Sequence, residues 1–417
     1  MNIRRQRILQ RMAAAALSVI LGLLLIYTAA EACTTAVISG SATTDGRPLL
    51  WKNRDADNLQ NQLVYNADGK FAFIGIINTG DAAGMEIWTG INSQGFAIMN
   101  TASYNLEKGD TYDEGHLMRM ALESCSTIED FQALLEKTNP GGRDVSANFG
   151  SIDAKGGAAF FETNKKTYKR FDATDPSVAP HGYLIRSNFS DSVEKQDGTG
   201  FIRRERATSL IEELVSTRHL DGQALLRIAA RDIANVHIGS YPLTERKSGA
   251  PEYAYTGDSI CRYITSSAVV YCGVKPGENP LASTAWVILG QPITGVAVPV
   301  WVAAGSVPKE LAASPDAAPL NAAFDLIRNE LYPDRDGELS KYIAVNRLTD
   351  PNWNFLQALL STEDRNFRQV VVAIEKWRIR LPPAPEIEKL QNGITLQTLE
   401  AVQAAQKKAP GAETIAH

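Results

Sequence analysis

The chain has 417 residues, of which 44% are hydrophobic and 21% charged, and its formal net charge is -5. This composition is typical of a globular protein and excludes a disordered chain. A nucleic-acid partner is not expected, because Lys and Arg form no basic stripe beyond the first residues. The length is sufficient for one large domain or two ordinary ones.

The N-terminus has the parts of a secretory leader. A basic segment, MNIRRQR, precedes the apolar run MAAAALSVILGLLLIYTAA, and AEA then offers small residues to signal peptidase. We therefore predict a signal peptide over residues 1–32, cleavage after Ala32, and a periplasmic or secreted protein. Removal of the leader leaves 38 basic and 46 acidic residues, a net charge of -8.

Two other interpretations of this junction remain open. An apolar run of about 18 residues is long enough to stay in the membrane as an uncleaved anchor. Alternatively, Cys33 is the lipid attachment point of a lipoprotein. Lipoprotein signals normally have an aliphatic residue three positions before the cysteine and a small residue next. Here those positions are Ala30 and Glu31, and the acidic side chain argues against lipidation.

From residue 33 to about 305, short apolar and β-branched runs alternate with Gly, Asn and Asp, as in β-hairpins. The predicted strands are TTAVISG, PLLWKNRD, FAFIGIINT, MEIWTGI, FAIMNTAS, SANFGSID, GAAFFETN, GYLIRSNF, ICRYIT, SAVVYCGV, TAWVILG and AVPVWVAA. Helical spacing predicts a helix in DEGHLMRMALESC and two more over residues 203–215 and 221–234. A further helix is predicted to begin at the capping box at residues 126–129. Residues 318–408 are predicted to be mostly helical.

This order of elements predicts an α+β fold with layered sheets rather than a doubly wound parallel sheet. We assign residues 33–310 to a main domain and residues 311–417 to a helical C-terminal extension. That extension could be a lid, a dimer arm or a packing layer, and a homo-oligomer is compatible with the sequence.

Four cysteines follow the leader: Cys33, Cys125, Cys261 and Cys272. No pair has the short spacing of a zinc site and the histidines are scattered, so we predict no metal and no cofactor. A hairpin turning at Ser266 would let Cys261 and Cys272 form a disulfide, whereas a strand passing straight through would separate them. Cys125 lies on the apolar face of its helix and is expected to be buried.

Cleavage after Ala32 would give Cys33 both a thiol and an α-amine. Because an α-amine has a pKa of about 8 and a thiol about 8.5, the amine can accept the thiol proton near neutral pH. N-terminal nucleophiles are activated in this way without a histidine. The chemistry would then wait for export, since the same nitrogen is an amide while the leader is attached.

The segment ATTDG predicts a turn that folds WKNRD back beside Cys33, because Thr44 is midway between Cys33 and Asp55. The register is open by a residue or two, so Lys52, Arg54 and Asp55 are all candidates for proximity. Asp55 would hold the ammonium, and a nearby cation would favour the thiolate. The alternative is that KNRD is an ordinary polar strand end.

CTT at a processed N-terminus, followed by KNRD, resembles the N-terminal-cysteine branch of the Ntn-hydrolase superfamily. More narrowly, it is similar to the choloylglycine hydrolases (linear amide C–N hydrolases) and the penicillin acyltransferase-like peptidases. The resemblance covers residues 33 to about 305 and implies a four-layer αββα sandwich. Family members usually have Arg-Asn-x-Asp here, so Lys52 replaces an arginine and loses its planar two-pronged contact. We expect the Arg54 side chain to point to the other face of the strand.

Three later segments extend the resemblance. GINSQGFAIMNTASYN is similar to the family hairpin whose second strand ends in an asparagine, here Asn100. YLIRSNFS is similar to the later Ser-Asn segment, here Asn188, and DSICRYITSS to the segment that supplies a late arginine, here Arg262. Taken singly, each has an ordinary alternative, since asparagine often caps a turn and Arg262 would suit a surface.

The resemblance implies acyl transfer on a small-molecule acyl amide. Cys33 attacks the carbonyl, Asn100 and Asn188 stabilise the oxyanion, and the protonated α-amine donates its proton to the leaving amine. Water then hydrolyses the thioester, or a second amine makes the protein an acyltransferase. A lipid-anchored binding protein is the third hypothesis. Bile-acid conjugates, penicillin V-like amides, N-acyl amino acids and acyl-homoserine lactones all fit, although Lys52 argues against conjugated bile salts.

Overall fold

The structure, a computed structural model, describes residues 32–409 except 82–83, 85, 108–112, 195–197, 235–251, 313–316 and 335–336. The predicted leader lies, up to Glu31, outside the described residues. The described chain from Ala32 onward forms a single unit. No helix in this part of the chain is long and apolar enough to cross a membrane.

The strands form three antiparallel sheets. In chain order they are β1 (Thr34–Ile38), β2 (Leu49–Asp55), β3 (Asn61–Asn66), β4 (Phe73–Asn78), β5 (Thr89–Asn92), β6 (Ala97–Ala102), β7 (Ala147–Ile152), β8 (Ala158–Thr163), β9 (Tyr168–Asp172), β10 (Tyr183–Arg186), β11 (Tyr253–Tyr255), β12 (Thr265–Cys272), β13 (Thr284–Leu289), β14 (Val298–Val300) and β15 (Tyr342–Ala344). The first sheet has the order β10-β1-β2-β12-β13-β14, the second runs from β3 to β9 in sequence, and β11 pairs with β15.

Helices lie in three stretches of the chain. They are α1 (Glu114–Ser124), α2 (Ile128–Thr138), α3 (Phe201–Ser216), α4 (Pro319–Leu331), α5 (Val345–Leu348), α6 (Phe355–Ile379) and α7 (Ala384–Gln406). A short helical turn, Gly222–Ala224, continues into the π-helical segment Leu225–Ala229.

The two large sheets pack face to face, and Gly150 sets how closely they approach. A Cβ at this position of β7 would lie within 3 Å of Val37 on β1 and of Met99 on β6, so only glycine fits. Helices α1 and α2 cover the outer face of the second sheet, where Phe131 makes an edge contact with Phe161 at 5.1 Å. Helices α3, α6 and α7 pack on strands of the first sheet. The predicted α+β fold with four αββα layers and C-terminal helices is confirmed.

The predicted strands are confirmed except ICRYIT, whereas β3, β9, β11 and β15 were not predicted. Residues 261–264 form a turn instead, because the Arg262 N–H donates to Thr265 Oγ1 at 2.9 Å and the Thr265 N–H to the Arg262 carbonyl at 3.0 Å. Of the two alternatives at Ser266, the structure has the continuous strand rather than the hairpin, because β12 runs through that position to Cys272. Cys261 and Cys272 therefore form no disulfide. Cys125 is buried as predicted.

Two helix predictions change in their details. The capping box before α2 is centred on Thr127, whose hydroxyl accepts from the Asp130 N–H, one residue later than predicted. The helix predicted over residues 221–234 is α-helical only over Gly222–Ala224, and its π-helical continuation ends at Ala229. Beyond it, Arg231 turns inward and donates to the carbonyl oxygens of Pro292 and Gly295.

A buried ion pair joins the C-terminal helices to the first sheet. Arg231 Nη1 and Nη2 donate to the two carboxylate oxygens of Glu363 on α6 at 2.9 and 2.6 Å. The Ala297 N–H donates to the same carboxylate at 2.8 Å. Both charged side chains are almost fully buried. The helical region thus packs as a layer of the same unit.

Replacing Glu363 by glutamine should destabilise the protein by about 3–5 kcal/mol, because the Arg231 charge would stay buried without a counterion. Urea-induced unfolding measures the change. The next residue, Asp364, binds Arg227 at 2.6 Å, but both side chains are about one-third exposed. Asp364→Asn is therefore a matched control that should cost less than about 1 kcal/mol. Equal losses in the two variants would contradict the assignment.

Candidate active site

The hairpin of β1 and β2 brings KNRD next to Cys33, as predicted. Thr34 pairs with Asn53 and Thr35 with Lys52. Continuing this register places Cys33 opposite Arg54, one residue from the predicted partner. Cys33 itself is buried, with 5% of its surface exposed.

The turn of this hairpin forms where ATTDG predicted it. Gly46 has a φ of +77°, a conformation that a residue with a Cβ rarely adopts. The Thr43 hydroxyl closes the turn by donating to the Arg47 carbonyl at 2.8 Å. The local sequence therefore sets the register that places the C-terminal end of β2 beside Cys33.

Arg203, in the first turn of α3, holds the backbone at Cys33. Its Nη1 donates to the Cys33 carbonyl at 2.6 Å and to Thr34 Oγ1 at 3.0 Å, and its Nη2 donates to Asn188 Oδ1 at 2.7 Å. Burial lowers the pKa of Arg203, and the Asp55 carboxylate opposes that effect. Arg203 was not among the residues predicted from the sequence. A positive charge near a helix N-terminus is unfavourable because of the helix dipole. The unusual position of Arg203 was therefore the feature of the sequence that could have indicated a special role.

Asn188 sits at the predicted strand end and uses its side-chain amide inside the protein. Its Nδ2 donates to the Ala102 carbonyl at 3.0 Å and to Thr101 Oγ1 at 3.3 Å. Its Oδ1 accepts from Arg203, so Asn188 links β6 to the arginine beside Cys33.

Asn100 lies on β6, across from β2 in the facing sheet. Its Oδ1 accepts a hydrogen bond from Lys52 Nζ at 2.7 Å, and the same ammonium donates to the Trp88 carbonyl at 2.8 Å. Both Lys52 and Asn100 are buried. Because Lys52 holds the amide oxygen, the two N–H bonds of Asn100 are turned away from it.

Arg54 lies on the same face of β2 as Lys52, so the prediction that it points the other way is wrong. Its guanidinium carbon lies 4.6 Å above the Trp88 ring, and its Nη1 donates to Asn61 Oδ1 at 2.7 Å. The reason is the strand period of two, which places residues 52 and 54 on one face. Arg54 does not replace the Lys52 contact with Asn100.

Asp55 ends β2 and is fully buried. Its Oδ1 accepts from Thr265 Oγ1 at 2.6 Å, whereas Oδ2 lies 3.7 Å from Arg262 Nη1 and has no hydrogen-bond partner among the described residues. Burial raises the pKa of Asp55 to about 6, against the opposing charges of Arg262 and Arg203. Arg262 is thus drawn inward by a carboxylate rather than lying on a surface strand.

The six predicted residues therefore gather at one end of the first sheet, and Arg203, Thr265 and Trp88 join them. They form three groups. Hydrogen bonds join Lys52 with Asn100 and Cys33 with Arg203 and Asn188, whereas Asp55 accepts a hydrogen bond from Thr265 and pairs with Arg262 by charge. The charge of Arg203 acts on both Asp55 and Cys33, which couples two of the groups. Among the described residues no three His, Cys, Asp or Glu side chains form a metal-binding cluster.

Residues 42–207 match the family model of acyl-coenzyme A:6-aminopenicillanic acid acyl-transferase. This match includes Lys52, Asp55, Asn100, Asn188 and Arg203, and it begins nine residues after Cys33. No curated protein matches the chain in sequence.

Several solved structures are similar to the chain. An N-acylethanolamine-hydrolyzing acid amidase ortholog from Caenorhabditis elegans is 16% identical, with a TM-score of 0.37 over 49% of this chain and 90% of that one. A variant of conjugated bile acid hydrolase from Clostridium perfringens is 12% identical, with a TM-score of 0.39 over 62% and 89%. Penicillin V acylase from Agrobacterium tumefaciens is 12% identical, with a TM-score of 0.37 over 64% and 86%.

The family match and the layered antiparallel sheets confirm the resemblance to the Ntn-hydrolase superfamily and its linear amide hydrolases. The class of chemistry that this supports is acyl transfer from an amide, either to water or to a second acceptor.

The raised pKa of Asp55 predicts a pH-dependent stability. The folded state binds its proton up to about pH 6, whereas the unfolded chain releases it near pH 3.8. Stability from this group is therefore complete below pH 3.8 and falls as the pH rises through 6. Between pH 4 and 7 the native protein should lose about 2 kcal/mol relative to Asp55→Asn.

Urea unfolding at pH 4, 5.5 and 7 would measure this difference. Asp68→Asn, at an exposed carboxyl, is the control and should track the native protein at every pH. A constant difference between Asp55→Asn and the native protein across this range would show that Asp55 does not titrate there.

Proposed function

We propose that this protein is exported, processed after Ala32, and hydrolyses a linear, non-peptide amide C–N bond with Cys33 as N-terminal nucleophile. The observation that carries the proposal is the buried Asp55 carboxylate at the Cys33 end of the hairpin, with Oδ2 lacking a hydrogen-bond partner in the described structure. A buried acceptor of this kind is costly unless a donor reaches it. The α-ammonium that processing would create at Cys33 is such a donor.

The proposed reaction begins with transfer of the thiol proton to the α-amine. The thiolate attacks the amide carbonyl carbon and forms a C–S bond. The C–N bond then breaks, and the ammonium proton passes to the departing amine. Water adds to the resulting thioester and releases the carboxylic acid, which returns the thiol and the amine to their starting forms.

The oxyanion needs donors that are aimed at it before the reaction begins. We assign the first to the Asn100 side-chain amide, since Lys52 holds its oxygen and leaves its N–H groups available. Asn188 already donates to β6, so we give it a positioning role through Arg203. Arg203 in turn fixes the Cys33 carbonyl and so positions the residue whose sulfur and nitrogen carry the proposed reaction.

An acyltransferase using the same thioester is the second candidate, and the description of the matched family favours it. The two activities differ only in whether water or an acceptor amine attacks the acyl-enzyme. The lipoprotein alternative is disfavoured, because Glu31 stands two residues before Cys33, the expected lipid attachment point, where a lipoprotein signal normally has a small residue.

The first test is the intact mass and N-terminal sequence of the exported protein, with and without iodoacetamide. We expect a chain that begins at Cys33 with an unmodified α-amine and a rapidly alkylated thiol. A retained leader, or an acylated or lipidated Cys33, would contradict the proposal, because the base would be absent.

Substitution of Cys33 by alanine should abolish turnover of every amide that the native protein hydrolyses. The panel should contain penicillin V, a conjugated bile acid, an N-acylethanolamine, an N-acyl amino acid and an acyl-homoserine lactone. Cys125→Ser changes another buried cysteine on the far side of the second sheet and should keep full activity. Adding an acceptor amine and measuring amide against acid product would separate acyltransferase from hydrolase.

Asn100→Asp tests the oxyanion assignment separately from folding. The aspartate keeps an oxygen for Lys52 but has no N–H to donate. We expect kcat to fall by about 10² to 10³ with an unchanged melting temperature. Asn66→Asp, at the end of strand β3, is the matched control. A variant that retains native kcat would exclude Asn100 as a donor.

A further inference from the structure

A cavity of about 240 Å³ lies at the opposite end of the first sheet from Cys33. Cys272, the last residue of β12, lines it, whereas Thr265, the first residue of that strand, binds Asp55. The intervening strand spans roughly 20 Å, so this cavity is separate from the candidate active site. It is bounded by the turn of the β1–β2 hairpin and by helix α6.

The inner wall of the cavity is apolar. The rings of Trp286 and Phe367 stack with centroids 3.7 Å apart and an angle of 19° between their planes. Val370 and Ile374 of α6 extend this wall. Burial raises the pKa of Cys272, so its thiol stays neutral and adds to the apolar surface. Such a wall suits an aromatic or branched aliphatic group.

The rim carries charges, and Arg378 is the cation with donors to spare. Arg47 is held by Glu278 and, at 2.9 Å, by Asp45. Arg378 Nη2 lies 3.7 Å from that same Asp45, beyond hydrogen-bond distance, and its side chain is 30% exposed. A guanidinium has five N–H donors arranged to fit a carboxylate.

The acids at the rim are less suited to bind a cationic ligand. Asp45 is already paired with Arg47, and Asp221 caps a helical turn by accepting from the Ala224 N–H at 2.8 Å. Glu375 is exposed on α6, where its charge is screened by water.

We propose that this cavity binds a small amphipathic carboxylate, with its apolar body against Trp286 and Phe367 and its carboxylate on Arg378. The volume corresponds to roughly eight water molecules, which limits the body to about one ring and a short chain. The proposal does not depend on the chemistry of Cys33. A ligand here would contact both the hairpin turn and α6.

The test uses three probes with one apolar body, which are 4-phenylbutyrate, 4-phenylbutanol and 4-phenylbutylamine, in isothermal titration calorimetry. We expect the acid to bind most tightly. Arg378→Gln should weaken the acid at least about tenfold and leave the alcohol unchanged, since a charge-assisted hydrogen bond is lost. Arg368→Gln, exposed on the same helix but outside the cavity, should bind like the native protein.

A second measurement places the probe. Methyl methanethiosulfonate, a small neutral reagent, should modify Cys272 slowly in the free protein, because the thiol is neutral, and still more slowly when 4-phenylbutyrate is bound, as measured by peptide mass spectrometry after long incubation. The rate at Cys125 should not change. Equal binding of the three probes, or native affinity in Arg378→Gln, would overturn the carboxylate assignment. Binding that protects Cys33 but not Cys272 would show that the probe occupies the candidate active site, and it would overturn the proposal while leaving the proposed function intact.

Discussion

Four consecutive polar residues are buried at the end of β2, and most of the structure around the candidate site follows from the need to bind them. β2 lies between β1 and β12, so neither edge of it reaches water. Burying a charge or an amide without a partner is expensive, so each side chain needs a group from another element. The partners are Asn100 and the Trp88 carbonyl for Lys52, the Ala230 and Ile260 carbonyls for Asn53, Asn61 for Arg54, and Thr265 with Arg262 for Asp55.

Arg203 is a further buried charge that needs partners, and it lies next to Cys33 at the start of β1. Its charge is buried at an unfavourable end of a helix, yet it binds three oxygen atoms and lies close enough to Asp55 for the two charges to interact. The arginine therefore fixes the backbone of the proposed nucleophile and favours negative charge beside it. An apolar side chain at this position would avoid the free-energy cost of burying a charge. We therefore connect Arg203 with the proposed reaction at Cys33.

The C-terminal helices cover the face of the first sheet that does not pack against the second sheet. The ion pair of Arg231 with Glu363 anchors α6, and the stacked rings of Trp286 and Phe367 continue the contact. Where α6 passes the hairpin turn, the packing leaves the cavity with Arg378 at its rim. One helical layer thus stabilises the sheet that carries Cys33 and forms the wall of a second site.

The sequence by itself determined that β4 to β8 are strands, the turn at ATTDG and the gathering of Lys52, Asp55 and Cys33, because each depends on local periodicity and short-range pairing. It also singled out Asn100, Asn188 and Arg262 through the resemblance, though not their partners. Only the tertiary structure decided that Arg203 reaches Cys33, that β12 separates Cys261 from Cys272, and that α6 encloses the cavity with Arg378. These contacts join residues that are far apart in the chain. A side chain that reaches across two packed layers to its partner produces no periodic pattern in the sequence.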